Sequence, residues 1–313
     1  MTITQLEYLV AVDAHKSFVD AADSCFVTQP TLSMQIQKLE EEMDILVFDR
    51  SKKPVTTTEI GTLVVEQAKI ILRESNRIQD LINVRKGDMA GILRVGIIPT
   101  LSPYLTPLFV TNFIKKYPDV KLHIEEMLST QLLAGLKNNA IDVAIMVPPN
   151  GDNFKKTSLF YEEFFLYLSA SHKMNEKTEI EPEKLDTRDM WVLRDGHCFR
   201  SQIETICGES FDNTTFDRVR FEGGSLDTLR KLVDKNSGFT LLPELAIQEL
   251  STTQSKMVKR FKGRKKPVRE ISLVMHKTYL KEHLIQALGK EIMEIVPAHM
   301  LDKSHGNTID WKQ

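Results

Sequence analysis

The chain has 313 residues, with 41 Lys and Arg against 43 Asp and Glu, and three cysteines. That length suits about two folding units, and 42% hydrophobic with 27% charged residues excludes collagen-like, disordered and disulfide-stapled classes. No apolar run of about 18 residues marks a membrane span, residues 1–10 do not read as a leader peptide, and a net charge of −2 gives no sign of a nucleic-acid partner.

The first elements read as short helices. Leu6, Leu9, Val10 and Val12 recur at helical spacing over residues 1–15. A second helix fits residues 18–25. A third opens at Val27-Thr28-Gln29-Pro30, with Thr28 as N-cap and Pro30 in the first turn, where its missing N–H costs nothing. Leu32, Ile36 and Leu39 give that helix an apolar face, and Thr31, Gln35 and Lys38 lie opposite. Residues 46–50 and 55–58, joined by a turn at 51–54, read as a two-stranded wing. A long helix then runs over residues 58–86 with Ile60, Val64, Ala68, Ile71, Ile78 and Ile82 on one stripe. Such a stripe needs a partner chain or a bridging role.

From Gly91 the pattern alternates: strands at 92–98, 120–127 and 143–147, with helices at 104–117 and 130–138. This order predicts a parallel sheet covered by helices. Further strands fit 164–169, 190–193, 215–221, 238–242 and 270–275, and further helices 226–235, 243–250 and 279–295. Residues 301–313 read as a loose polar tail.

Helix, turn, helix and wing followed by a dimerising helix is a DNA-binding arrangement. Gln29, Thr31, Ser33 and Gln35 sit where a groove-inserted helix meets base edges, and Gln pairs bidentately with adenine. Arg50, Lys52 and Lys53 on the wing suit phosphates. Charge argues the other way, because residues 1–58 hold five bases against nine acids. The run from Val27 to Glu40, with Leu46-Val47-Phe48-Asp49-Arg50 and Thr58-Glu59-Ile60-Gly61, resembles the recognition signature of LysR-type transcriptional regulators. It departs at Met34 and Gln37, where relatives commonly carry Arg. The resemblance implies DNA contacts from Thr28, Gln29, Pro30, Thr31, Ser33, Met34, Gln35, Lys38, Arg50, Lys52 and Lys53, with tetramer avidity strengthening them.

Cys198 and Cys207 stand in a Cys-x8-Cys spacing. Three readings are open: a zinc site with His197, two inert buried thiols, or a redox pair. The spacing fits no usual zinc ligand pair. His197 and Arg200 flank Cys198 and would lower its thiol pKa, which favours the redox reading with Cys198 as first nucleophile. Segment 196–207 resembles the sensing loop of the peroxide-responsive branch of the same family. That resemblance implies a peroxidatic Cys198 and a resolving Cys207. It also implies that Thr100, Ser129 or Thr130, His197 and Arg269 surround the peroxide. Cys25 reads as core. The basic run Lys256, Lys259, Arg260, Lys262, Arg264, Lys265 and Lys266 reads as a solvated face, and His123 as an ordinary strand residue.

The expected architecture is therefore an all-α winged helix–turn–helix over 1–58, a linker helix over 59–88, and an α/β effector domain over 91–300. That domain would have type II periplasmic-binding-protein architecture, with subdomain I at 91–161 and 268–300 and subdomain II at 162–267. The expected function is a cytoplasmic, peroxide-sensing transcriptional regulator, not an enzyme and without a cofactor. Its expected partners are promoter DNA, itself as a dimer of dimers, hydrogen peroxide, RNA polymerase and a thioredoxin- or glutaredoxin-type reductant. The competing trigger is a small metabolite bound between the subdomains. A thiol peroxidase carrying a helical domain is the rival from another class.

Overall fold

The first helices begin where the sequence supplies caps. Thr2 and Gln5 cap each other reciprocally to start α1 (Ile3–His15), Ser17 starts α2 (Phe18–Ser24), and Thr28 starts α3 (Gln29–Met43), with Pro30 in its first turn. The computed structural model describes residues 1–86, 89–182, 185–208, 221–264, 266–277 and 281–311. They form two compact units, one centred on Met1–Lys86 and one on Gly87–Lys137 with Ile141–Gln313.

In the first unit, Leu6, Leu9 and Val12 of α1 meet Leu32, Ile36 and Leu39 of α3 in one core. The wing is β1 (Phe48–Asp49) paired antiparallel with β2 (Thr56–Thr57). The long helix α4 (Glu59–Lys86) follows at once. A Cβ on Gly61 would lie 2.0 Å from the Val47 carbonyl oxygen, so only glycine lets α4 approach the wing this closely. The buried face of α4 is Gly61, Val65 and Ala68. It therefore differs from the expected stripe: Ile60 and Ile78 are exposed, as is Leu63.

The second unit carries a curled mixed sheet in the order β4–β3–β5–β10–β6–β9–β7, with β11 on β10 and β8 on β6. Its strands are β3 (Gly91–Ile97), β4 (Val120–Glu126), β5 (Val143–Met146), β6 (Phe154–Leu168), β7 (Glu179–Ile180), β8 (Phe239–Pro243), β9 (Val258–Phe261), β10 (Lys266–His276) and β11 (Gly306–Thr308). β3, β4 and β5 are parallel, as expected of the βαβαβ order, with α5 (Ser102–Lys116) and α6 (Ser129–Lys137) as crossovers. The two halves of β6 serve different partners. Phe154–Glu163 runs antiparallel to β10, and Phe164–Leu168 runs antiparallel to β8. The same chain segment thus belongs to both lobes of a type II periplasmic-binding-protein fold. The remaining helices are α7 (Cys198–Cys207), α8 (Leu226–Lys235), α9 (Glu244–Ile247), α10 (Thr252–Ser255) and α11 (Glu282–Ile295).

Several elements differ from expectation. Residues 190–193 make only a bridge from Met190 to Phe239, not a strand. The helix expected over 243–250 is confined to Glu244–Ile247. Most of the strand expected at 215–221 lies outside the described residues. The tail is not loose: β11 pairs with β10, Met300 and Trp311 are buried, and the Ile309 N–H donates to the Val268 carbonyl (2.8 Å). Trp311, a large apolar side chain in a polar segment, helps to dock it, with Met300 buried just before it. Of the basic run, Lys259 and Arg260 fall on β9 and Lys266 opens β10, while Lys265 lies outside the described residues. Lys262 and Lys266 pair with Glu181 and Glu179, and Arg260 lies over the Phe165 ring.

Candidate functional site

At the recognition helix, the Thr28 hydroxyl accepts from the Thr31 N–H and also meets the Thr31 hydroxyl at 2.8 Å. Thr28, Gln29, Pro30, Met34 and Lys38 are exposed, and Thr31, Ser33 and Gln35 are half-buried. Gln35 is held from behind, since the Gln5 amide donates to its side-chain oxygen (3.2 Å). Arg50 does more than face solvent. Its guanidinium donates to Glu40 Oε2 (2.9 Å) and Ser33 (3.3 Å) and stacks over Phe18. Glu40 Oε1 accepts from the Val47 and Phe48 N–H groups. The buried Glu40 carboxylate thus ties the helix to the wing, a role that the sequence reading missed because Glu40 entered it only as one of nine acids and as the end of the recognition signature. Lys52 is exposed beside Asp49, and Lys53 is exposed.

The second cluster forms where β3, α6, α7 and β10 converge. Gly196, with φ of +93°, turns the chain into His197, and Cys198 is the first residue of α7. His197 makes no side-chain cap. Burial raises the Cys198 thiol pKa above the ordinary cysteine range. The Ser129 hydroxyl, the Arg269 charge and the N–H groups of Phe199 and Cys198 oppose that rise without overcoming it.

Arg269 is wholly buried. It donates from Nε to Glu162 (2.7 Å), and its terminal nitrogens donate to the Thr100 hydroxyl (2.9 Å) and carbonyl (3.2 Å). Glu162, also buried, accepts from the Leu245 N–H (3.0 Å), and its burial raises its own pKa against the pull of Arg269. The guanidinium carbon lies 5.1 Å from the centroid of the Phe199 ring, which stacks on Phe164. Thr100, Ser129, Arg269 and Cys198 are therefore brought together, while Thr130 is exposed.

The expected local cations are not the ones at work. His197 is buried, and burial together with Arg194 lowers its pKa to about 4, so it is neutral at physiological pH. Its Nε2 has no hydrogen-bond partner among the described residues. Arg200 turns away to Asp195 (2.9 Å), Glu204 (3.2 Å) and the Leu193 carbonyl (3.0 Å). The cation that acts on the sulfur comes from β10, far away in sequence. A cavity of about 310 Å³ borders the cluster, walled by Thr130, Leu133, His197, Arg200, Glu204 and Trp311. Among the described residues no group of three His, Cys, Asp or Glu side chains could hold a metal ion.

Cys207 is the last residue of α7, which ends at Gly208 in a left-handed cap. Nine steps of helix place the two Cα atoms about 13.5 Å apart along the axis, and no disulfide joins the thiols. The helix was not foreseen, although Phe199, Ile203 and Ile206 stand at helical spacing. Cys25 packs half-buried against the first unit's core, although Phe26 beside it, the ground for reading it as core, is exposed.

Comparison with known proteins finds the bacterial regulatory helix-turn-helix family of LysR type over residues 3–62 and the LysR substrate binding domain over 86–295. A hydrogen peroxide-inducible genes activator of Haemophilus influenzae is 38% identical over 248 residues, covering 79% of this chain and 81% of that protein. The DNA-binding transcriptional dual regulator OxyR of Escherichia coli K12 is 36% identical, covering 79% and 80%. A solved full-length OxyR variant from Pseudomonas aeruginosa superposes with a TM-score of 0.73 at 30% identity, covering 95% of this chain and 99% of that one.

Proposed function

Since the chain belongs to the LysR family of transcriptional regulators and is OxyR-like within it, we propose that it senses hydrogen peroxide through Cys198 and Cys207 and converts their oxidation into altered promoter contacts. One observation carries this reading. A buried thiol at the start of α7 faces Ser129 and Arg269, and the second thiol closes the same ten-residue helix.

Peroxide would sit among the Thr100, Ser129 and Thr130 hydroxyls and His197. The Cys198 thiolate attacks one peroxide oxygen, so an S–O bond forms as the O–O bond breaks, and the departing hydroxide takes a proton and leaves as water. The Cys207 thiolate then attacks the sulfenic sulfur, forming the S–S bond and releasing the second water. The two thiols supply the two electrons that reduce one peroxide to two waters. A dithiol reductant of thioredoxin or glutaredoxin type reverses the change.

Arg269 stabilises the developing thiolate and hydroxyls donate to the leaving oxygen. His197 is neutral here, so it acts as a hydrogen-bonding group and not as a charge. A disulfide requires Cα atoms within about 4.4–6.8 Å, so α7 must unwind. The helix is suited to that. It is shorter than the ~12–15 residues that hold alone in water, has no N-terminal side-chain cap, and depends on the burial of Phe199 and Ile203. On the DNA side, the exposed face of α3 would enter the major groove, with Lys52 and Lys53 on phosphates and Arg50 bracing the wing. A second copy meeting α4 and a tetramer on several half-sites complete the arrangement, with RNA polymerase as the downstream partner.

Cys198→Ser tests the trigger. Peroxide should change the promoter binding and transcription of the native chain and leave the variant unresponsive. A variant that responds normally to peroxide would overturn the redox reading.

A further inference from the structure

The C-terminal segment 306–311 contacts the helix that has to unwind. Gln202, in the middle of α7, is completely buried, and its amide nitrogen donates to the Ile309 carbonyl (2.6 Å). The Ile309 N–H in turn donates to the Val268 carbonyl (2.8 Å), one residue before Arg269. β11 runs parallel to β10 from Lys266 to Val268. The strap therefore joins α7 to the strand that carries the cation beside Cys198. Its end is fixed by Trp311, which is buried, walls the cavity against His197 and Arg200, and accepts from the Asn150 amide through its carbonyl (3.3 Å).

We propose that this strap is a redox-released latch: Gln202 and Ile309 hold α7 helical in the dithiol state, and closing the Cys198–Cys207 bond frees the strap from the sensing unit. The inference rests on the disulfide reading above. The latch is weak enough to release. Gln202 Oε1 is buried with no hydrogen-bond partner among the described residues, so the amide is only half satisfied, and such a group carries a desolvation cost that unwinding relieves. The latch is also placed so that it must release. Gln202 lies between the two cysteines in sequence, so the backbone that brings Cys207 to Cys198 cannot leave its side chain where it stands. Gln202 is thus a positioning residue for disulfide closure and does not touch the reacting atoms.

Hydrogen exchange of the full-length chain, followed over peptides spanning residues 306–311 in the dithiol state and after stoichiometric peroxide, tests the latch without altering Gln202 or the strap. Exchange should accelerate at least about tenfold on oxidation, as expected when a paired backbone segment opens locally, and should not change in Cys207→Ser treated alike. The same samples are mapped for the Cys198–Cys207 linked peptide. A linked peptide with unchanged strap protection overturns the latch and leaves the disulfide reading standing; absence of the linked peptide removes both. Gln202→Leu, which keeps the bulk and loses the donor, should speed the second step, disulfide closure, by about three- to tenfold, the equivalent of one net hydrogen bond. Its sulfenic acid step, read by a trapping reagent in a Cys207→Ser background, should keep its rate. Equal closure rates in Gln202→Leu and the native chain count against the latch.

Discussion

Cys198 shows how far single residues could be read. Its sequence neighbours, His197 and Arg200, suggested an activated thiol, but geometry gives His197 no charge and turns Arg200 to two carboxylates. The true cation, Arg269, reaches Thr100 across 169 residues of sequence. No local pattern joins them; only the resemblance to relatives put them on one list. Burial leaves the resting thiol mostly protonated, since a folded thiol pKa raised above the usual range reduces the thiolate at neutral pH. Oxidation of Cys198 should therefore accelerate about tenfold per pH unit between pH 6 and 8, with no plateau, as thiolate population limits the rate. Stopped-flow oxidation across that range checks this. A rate already flat at pH 7 would mean a thiolate at rest and contradict the buried, protonated state.

Among elements, those with strong local signals were legible. Thr28 and Pro30 announced α3, and the βαβαβ alternation announced β3 to β5. What was lost depended on pairing made far away. β6 continues to Phe154 because β10 pairs along it, although its first half, with two lysines, a threonine and a serine, reads as no strand of its own. The tail found order because Trp311 and, just before the tail, Met300 had somewhere to bury. The wing likewise depends on a single buried carboxylate. Glu40→Ala strips the acceptor from the Val47 and Phe48 N–H groups and from Arg50. That loss should cost the first unit about 2–4 kcal/mol, since charge-assisted bonds are lost and buried donors are left unpaired. Promoter affinity should fall with it. Denaturant melts of the first unit check the figure, and a change under about 0.5 kcal/mol, the level of an ordinary surface substitution, would show that the wing is held by other means.

For the whole molecule, overall charge was the least informative number. A chain with a net charge of −2 and an acidic first unit still carries a LysR helix–turn–helix. Composition could not show this, since it averages over faces that meet different partners. Ile60, Leu63 and Ile78 remain exposed on α4, in keeping with the proposed contact of α4 with a second copy. The central claim is narrower than the assembly: peroxide converts the two ends of α7 into one covalent pair. A non-reducing peptide map of the full-length chain after brief treatment with stoichiometric peroxide tests it most directly. The account predicts a Cys198–Cys207 linked peptide, lost in Cys207→Ser and reversed by a dithiol. Cys198 recovered as an unmodified thiol, or as sulfinic acid with no linked peptide, would contradict it.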